Sequence, residues 1–195
     1  TAKTRTYAFA RYASVAYVTN LSNESSGLLA GAGLQGEITK RITGTLELGS
    51  MSRHYTRTVS GGTRDTTAPR YDVALTWEGP RDWKVRVNGE RGFSDSVFNR
   101  FFVTSALGGN VSKPLGKHAK VAVLGSWGLD QYPDLNPEFA RKRHDTNIQV
   151  GVRLTFVVNE RHSIAGSYLY RSRDSNLDTY DFQDGVGGIS YDLTL

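Results

Sequence analysis

The 195-residue chain is long enough for one domain with a sizeable core, yet only 38% of it is hydrophobic and its mean hydropathy is −0.43. It carries 21 glycines, 10 tyrosines, 8 phenylalanines and no cysteine, a mixture that suits short twisted strands and excludes disulfides, thiolate metal sites and a cysteine nucleophile. The net charge of +5 is diluted by acidic residues throughout, so nucleic acid is not an expected partner. No run nears the roughly 18 consecutive apolar residues of a membrane helix.

Two-residue alternation organises the chain. Residues 5–18 show it weakly, because either register places Arg11 or a small polar residue awkwardly. Residues 27–38 alternate through several glycines. Ile42, Leu46 and Leu48 then oppose Thr43, Thr45 and Glu47, and Tyr71, Val73, Leu75 and Trp77 oppose Asp72, Ala74, Thr76 and Glu78. Trp83, Val85 and Val87 oppose Lys84, Arg86 and Asn88, and residues 100–113 form another glycine-rich candidate. Ala119, Val121, Val123, Trp127 and Leu129 share one face, with Lys120, Ser126 and Asp130 on the other. The cleanest case is Asn147 to Val158. There Ile148, Val150, Val152, Leu154, Phe156 and Val158 alternate with Asn147, Gln149, Gly151, Arg153 and Thr155. Residues 162–173 follow, and Ile189, Tyr191, Leu193 and Leu195 oppose Ser190, Asp192 and Thr194 at the end.

This reading predicts about ten strands of ten to twelve residues, the length of a tilted membrane-crossing strand. Short turns are expected at Thr39-Lys40, Gly79-Pro80-Arg81-Asp82, Leu115-Gly116-Lys117 and Asn159-Glu160-Arg161, and longer polar loops near 19–26, 56–70, 94–99, 131–146 and 174–183. The basic run Arg141-Lys142-Arg143-His144 falls in one of those loops and reads as solvated. Alternating short and long connections are what an outer-membrane barrel has on its periplasmic and extracellular sides. A soluble sandwich alternates too, but three features favour the membrane. Trp77, Trp83, Trp127, Tyr132, Tyr168 and Tyr170 sit near strand ends, where interfacial rings belong. The opposite row is glycine- and charge-rich, with Glu47, Asp72, Glu78, Lys84, Arg86, Glu90, Lys120, Asp130, Arg153, Arg171, Arg173 and Asp192 as lumen-lining candidates. Finally, the last strand ends without a polar tail. The expected fold is an all-β, antiparallel, up-and-down transmembrane barrel occupying 1–195 as one domain. Thr1 opens no signal peptide, so an exported chain is expected here in mature or trimmed form.

The segment Val157-Val158-Asn159-Glu160-Arg161-His162-Ser163-Ile164 is followed by Tyr168-Leu169-Tyr170-Arg171-Ser172-Arg173-Asp174-Ser175-Asn176, then by Tyr180-Asp181-Phe182 and the final strand. Together they resemble the C-terminal part of a β-barrel porin 2-type outer-membrane protein, and Ile38-Thr39-Lys40-Arg41-Ile42-Thr43-Gly44 resembles the same repeated turn. The resemblance implies a bacterial outer-membrane barrel, several members being tied to exopolysaccharide export. Outer-membrane lipid, polysaccharide or small polar solutes, and periplasmic export proteins are the implied partners. Members are usually about twice this long, so the expectation is either a closed ten-strand barrel or the C-terminal half of a larger one. The chain ends at Leu195, where many outer-membrane proteins have Phe.

Other motifs carry less. Gly31-Ala32-Gly33-Leu34-Gln35-Gly36 matches the dinucleotide fingerprint, but a turn and a strand follow it instead of a helix, so no cofactor is expected. His54, His118, His144 and His162 show no metal-ligand spacing. His54 and His144 lie on the long-loop side with Asp65, Asp130 and Asp145, and Ser163 adjoins His162, but the chain does not read as an enzyme. The leading expectation is a passive pore or translocation channel. A non-conducting barrel with a charge-plugged lumen and interaction loops is the alternative, and a membrane-embedded hydrolase is third.

Overall fold

A computed structural model describes residues 4–16, 24–56, 65–95, 101–136, 138–159 and 161–193. Strands β1 (Thr4–Val15), β2 (Ser25–Thr39), β3 (Ile42–Tyr55), β4 (Asp65–Glu78) and β5 (Lys84–Asp95) are followed by β6 (Phe101–Pro114), β7 (Ala119–Leu135), β8 (Lys142–Val157), β9 (His162–Ser175) and β10 (Phe182–Leu193). They form one ten-stranded sheet in chain order, every neighbouring pair antiparallel. The all-β, up-and-down architecture is the expected one. Among the described residues helix is confined to two single 3₁₀ turns, Pro80–Asp82 and Asp178–Tyr180, and no helix is long and apolar enough to cross a membrane.

The closed ten-strand form is not what the structure has. β1 and β10 are the two edges of the sheet and do not pair among the described residues. The strands are also longer than alternation alone suggests, from 12 residues in β1 to 17 in β7. Loops shrink accordingly: 131–146 reduces to 136–141, and 174–183 to 176–181. The ladder between β7 and β8 reaches Gln131↔His144 and, past a bulge, Leu135↔Lys142. β10 begins at Phe182, well before Ile189, because three glycines at 185, 187 and 188 hide its pattern from hydrophobicity. The loop expectations at 19–26, 56–70 and 94–99 and the turn 159–161 fall partly outside the described residues, and Leu195 lies outside them.

Ladder partners share a face, so register sorts the side chains into two rows. One row carries Leu46, Leu48, Val73, Leu75, Val87, Leu107, Val111, Val123, Val150, Val152 and Phe156, many of them exposed. Toward the loop ends of the hairpins this row turns polar, through Ser50, Ser52 and His54 on β3 and Thr146 and His144 on β8. The apolar belt therefore sits at the short-turn end, and the strands continue above it. The other row makes contacts that skip a strand, such as Arg11 on β1 to Glu47 on β3 and Arg153 on β8 to Ser190 on β10. Side chains converge this way only on the concave side of a curled sheet.

One seam interrupts the curl. The β4–β5 ladder stops at Tyr71↔Arg91, while β3–β4 runs on to His54↔Asp65 and β5–β6 to Asp95↔Phe101. Above the seam Tyr55 stacks on Phe101 with ring centroids 5.5 Å apart, Phe101 meets Phe93 edge-on at 5.2 Å, and Arg53 lies 5.7 Å from the Phe93 ring. Tyr55 and Arg53 belong to the concave row of β3, whereas Phe93 and Phe101 belong by register to the convex rows of β5 and β6. The β5–β6 hairpin thus passes inside the β3–β4 hairpin. Met51, Tyr55, Ala68 and Phe101 are buried there, forming a local apolar core above the belt.

Candidate functional site: the polar concave face

Glu47, Asp72, Glu78, Lys84, Arg86, Glu90, Lys120, Asp130, Arg153, Arg171, Arg173 and Asp192 all fall on the concave row. Many of them are paired. Arg11 Nη2 donates to Glu47 at 3.0 Å, Arg70 Nη2 to Asp72 at 3.1 Å and Lys84 Nζ to Glu78 at 3.2 Å. Arg171 grips Asp184 through Nε at 2.9 Å and Nη2 at 2.5 Å, and Arg153 lies 3.9 Å from Asp192. Arg86, Glu90 and Lys120 are exposed and make no ion pair among the described residues. Exposed pairs of this kind contribute about 0–1 kcal/mol each, so they set the potential of the face more than its stability.

Two cavities open on this face. One of about 680 Å³ near the short turns is lined by Gln35, Glu37, Thr43, Thr76, Arg86 and Asn88. The other, about 440 Å³ and toward the loop end, includes Arg11, Arg53, Arg70, Glu90 and Arg91 in its wall. The row is not uniformly polar. Leu124, Gly151, Leu169 and Val186 follow one another across β7 to β10 through successive ladder partners. A Cβ on Gly151 would stand 3.0 Å from Leu169 Cδ1 and 3.2 Å from Leu124 Cγ, so the two leucines close over that glycine.

At the loop end, above the belt, β6 to β9 share a buried network. Arg143 donates to Asp145 through Nε at 2.8 Å and Nη2 at 2.5 Å, with its guanidinium 4.7 Å from the Tyr132 ring and 3.6 Å from the Tyr180 ring. Ser175 Oγ donates to Asp145 at 2.6 Å, and Arg173 Nε donates to Asn147 at 2.9 Å. Asn147 Nδ2 and Thr104 Oγ1 donate to the two oxygens of Asp130, each at 2.8 Å. Asn136 Nδ2 donates to the Tyr180 hydroxyl at 3.0 Å, which ties the 176–181 loop to the β7–β8 hairpin. Burial pushes the Tyr132 phenol up to about 12.

Two expectations change here. Arg143 is not part of a solvated loop: β8 continues to Lys142, alternation turns Arg143 inward, and it is only 6% exposed. Tyr132 is not an outward-facing ring. It lies in the concave row of β7, 7% exposed, stacked on Phe102 at 4.9 Å. Trp77, Trp127, Tyr168 and Tyr170 fall on the convex row, and Trp83, exposed immediately before β5, has Lys113 Nζ 4.9 Å from its ring.

Among the candidate catalytic pairs, His54 Nδ1 and Asp65 meet at 2.6 Å, both exposed on the convex row above the belt. His144 sits on the opposite face from Asp130 and Asp145, so that pairing is not formed. His118 Nδ1 meets the Val157 carbonyl, and His162 contacts the Tyr191 hydroxyl. Among the described residues no group of three or more His, Asp or Glu could hold a metal ion.

The sequence matches the family model described as "Putative beta-barrel porin 2" over residues 2–194. No match is found among curated proteins. Among solved structures, the fold is similar to OmpTdeltaL8, a loop L8 deletion mutant of OmpT, an outer membrane protein of Vibrio cholerae, at 12% identity and a TM-score of 0.49. That match covers 96% of this chain and 62% of the other, so this chain spans less than two thirds of that protein's length.

Proposed function

Since the chain belongs to the beta-barrel porin 2 family and its setting is the bacterial outer membrane, we propose that it forms the wall of a passive pore. Small polar solutes and sugar polymers are the cargo in this reading. The convex apolar belt meets lipid, the concave row lines the lumen, and catalysis has no part. The polysaccharide cargo, and periplasmic export partners at the short turns, follow from the family resemblance.

One observation carries the pore reading. Arg86, Glu90 and Lys120 are exposed on the inside of the sheet and make no ion pair among the described residues. A plugged interior would have to desolvate such charges at several kcal/mol each unless it paired them. Unpaired charges in a wet lumen instead attract counter-ions and set selectivity. The plugged, structural reading draws on the other half of the face, where Arg143–Asp145 and Arg171–Asp184 are tightly paired. Conductance in planar bilayers separates the two. A pore gives discrete current steps, and Arg86→Glu with Lys120→Glu moves its selectivity toward cations. Refolded protein that never conducts establishes the plugged barrel instead.

A further inference from the structure

We infer that the concave face of β1 and β2 is a binding track for the pyranose rings of a sugar chain, with Tyr7 and Phe9 as its platforms. The inference rests on the pore reading, since this face must be reached from water.

β1 is the strand whose alternation is anomalous, and the structure shows how. Its concave row reads Arg5, Tyr7, Phe9 and Arg11, while its convex row reads Thr4, Thr6, Ala8 and Ala10. Two large rings thus sit on the concave side, next to the glycines of β2 and within reach of Glu47 on β3. Register sets Tyr7 opposite Gly33 and Phe9 opposite Gly31. A Cβ on Gly33 would lie 2.5 Å from Tyr7 Cζ, and one on Gly31 would lie 2.8 Å from Phe9 Cζ. The rings therefore lie across the bare backbone of β2, and any larger residue there would lift them off it. The glycines of the Gly31-Ala32-Gly33 segment serve as the bed for two aromatic rings, not as a phosphate loop.

Both rings are half-exposed, with centroids 6.2 Å apart. Hydrogen-bonding groups frame them. The Tyr7 hydroxyl donates to Glu47 Oε1 at 2.9 Å, which also accepts Arg11 Nη2 at 3.0 Å, and Arg5 Nη2 donates to Gln35 Oε1 at 2.8 Å. The Arg5 and Arg11 guanidinium carbons lie 5.6 and 4.9 Å from the Tyr7 and Phe9 centroids. A ligand that suits this setting has a flat C–H face for the electron-rich ring and a polar rim for carboxylate, guanidinium and amide. A pyranose has both. A lipid chain has no use for the rim. Arg11 continues into the cavity whose wall includes Arg53, Arg70, Arg91 and Glu90, so the polar rim extends beyond the two rings.

The test uses the full chain in planar bilayers, with a neutral glucose hexasaccharide and a galacturonate hexasaccharide as probes. Both interrupt the wild-type current. Tyr7→Leu with Phe9→Leu, which keeps apolar bulk but removes the ring faces, raises the half-blocking concentration about tenfold, equivalent to about 1.4 kcal/mol. Tyr12→Leu, on the convex row of the same strand, leaves blocking unchanged. Heat-modifiable migration in detergent gels establishes that each variant is folded. A conducting channel whose blocking by both probes is the same in the double variant overturns the track and leaves the pore standing. Folded protein that never conducts overturns the pore. Equilibrium dialysis of the same probes then decides the track: binding weakened by the double variant supports it, and no binding, or binding the double variant leaves unchanged, overturns it.

Discussion

Asp145→Ala removes the anion at the centre of the loop-end network. Asp145 has no exposed surface and Arg143 is 6% exposed. The substitution strips Arg143 of two hydrogen bonds, at 2.8 and 2.5 Å, and Ser175 of one at 2.6 Å. It also takes a counter-charge from Arg173, 3.8 Å away. The guanidinium then stays against the Tyr132 and Tyr180 rings without the carboxylate that pairs it. Breaking a buried pair from one side costs about 3–5 kcal/mol, while replacing both partners with apolar groups of similar volume is close to neutral or stabilising. Arg143→Met with Asp145→Leu should therefore recover most of the loss, short of about 1 kcal/mol for the Ser175 hydroxyl. Urea unfolding in phospholipid vesicles, followed by tryptophan fluorescence, measures all three proteins. An Asp145→Ala loss below about 1 kcal/mol, or a double variant no more stable than the single one, would refute the claim that the pair is buried and uncompensated.

Val152→Arg, on the convex row, should cost about 2–4 kcal/mol if it lies at mid-bilayer. Arg153→Ala, one residue on, should preserve assembly while altering ion selectivity; equal tolerance at both would show that the two rows do not separate lipid from lumen. Above pH 10 the raised Tyr132 phenol matters: its neutral form is favoured by folding, so its stabilisation is intact below the unfolded value near 10 and is lost as pH rises toward about 12. Tyr132→Phe should flatten that part of the pH–stability curve, and an unchanged slope in the variant would remove Tyr132 from the account. Protease added to intact cells should cut at 136–141 or 176–181 before it cuts at Gly79–Asp82, and the reverse order would invert the orientation. Cysteines at Gly188 and along Tyr7–Ala13 should not crosslink within a monomer, because β1 and β10 are separate edges; efficient crosslinking would mean a closed ten-strand barrel.

Strand identity and the two faces were legible in the sequence because a strand's side-chain period is two and needs no partner to be seen. Ile148 to Phe156 announces itself on composition alone, and Trp77 beside Glu78 declares which row is which. Extending the β8 alternation back from Asn147 would have placed Asp145 and Arg143 on the concave row as well. A run of four basic residues near proline conceals that, since local polarity looks the same whether a charge is solvated or paired. Only the tertiary structure brings Tyr132 and Tyr180, 48 positions apart in the chain, to either side of Arg143, and so turns a loop-like segment into a buried latch. The same holds for β1. Its reversed pattern is illegible until register lays Tyr7 over Gly33 and Phe9 over Gly31, because the reason for a ring on the polar side is a missing side chain on the neighbouring strand. The sequence by itself determined about ten alternating strands, weakest at residues 5–18, which follow from local periodicity and turn chemistry. The open edges at β1 and β10, the hairpin tucked inside its neighbour and the pairing of charges across strands depend on curvature and register, which no single segment encodes.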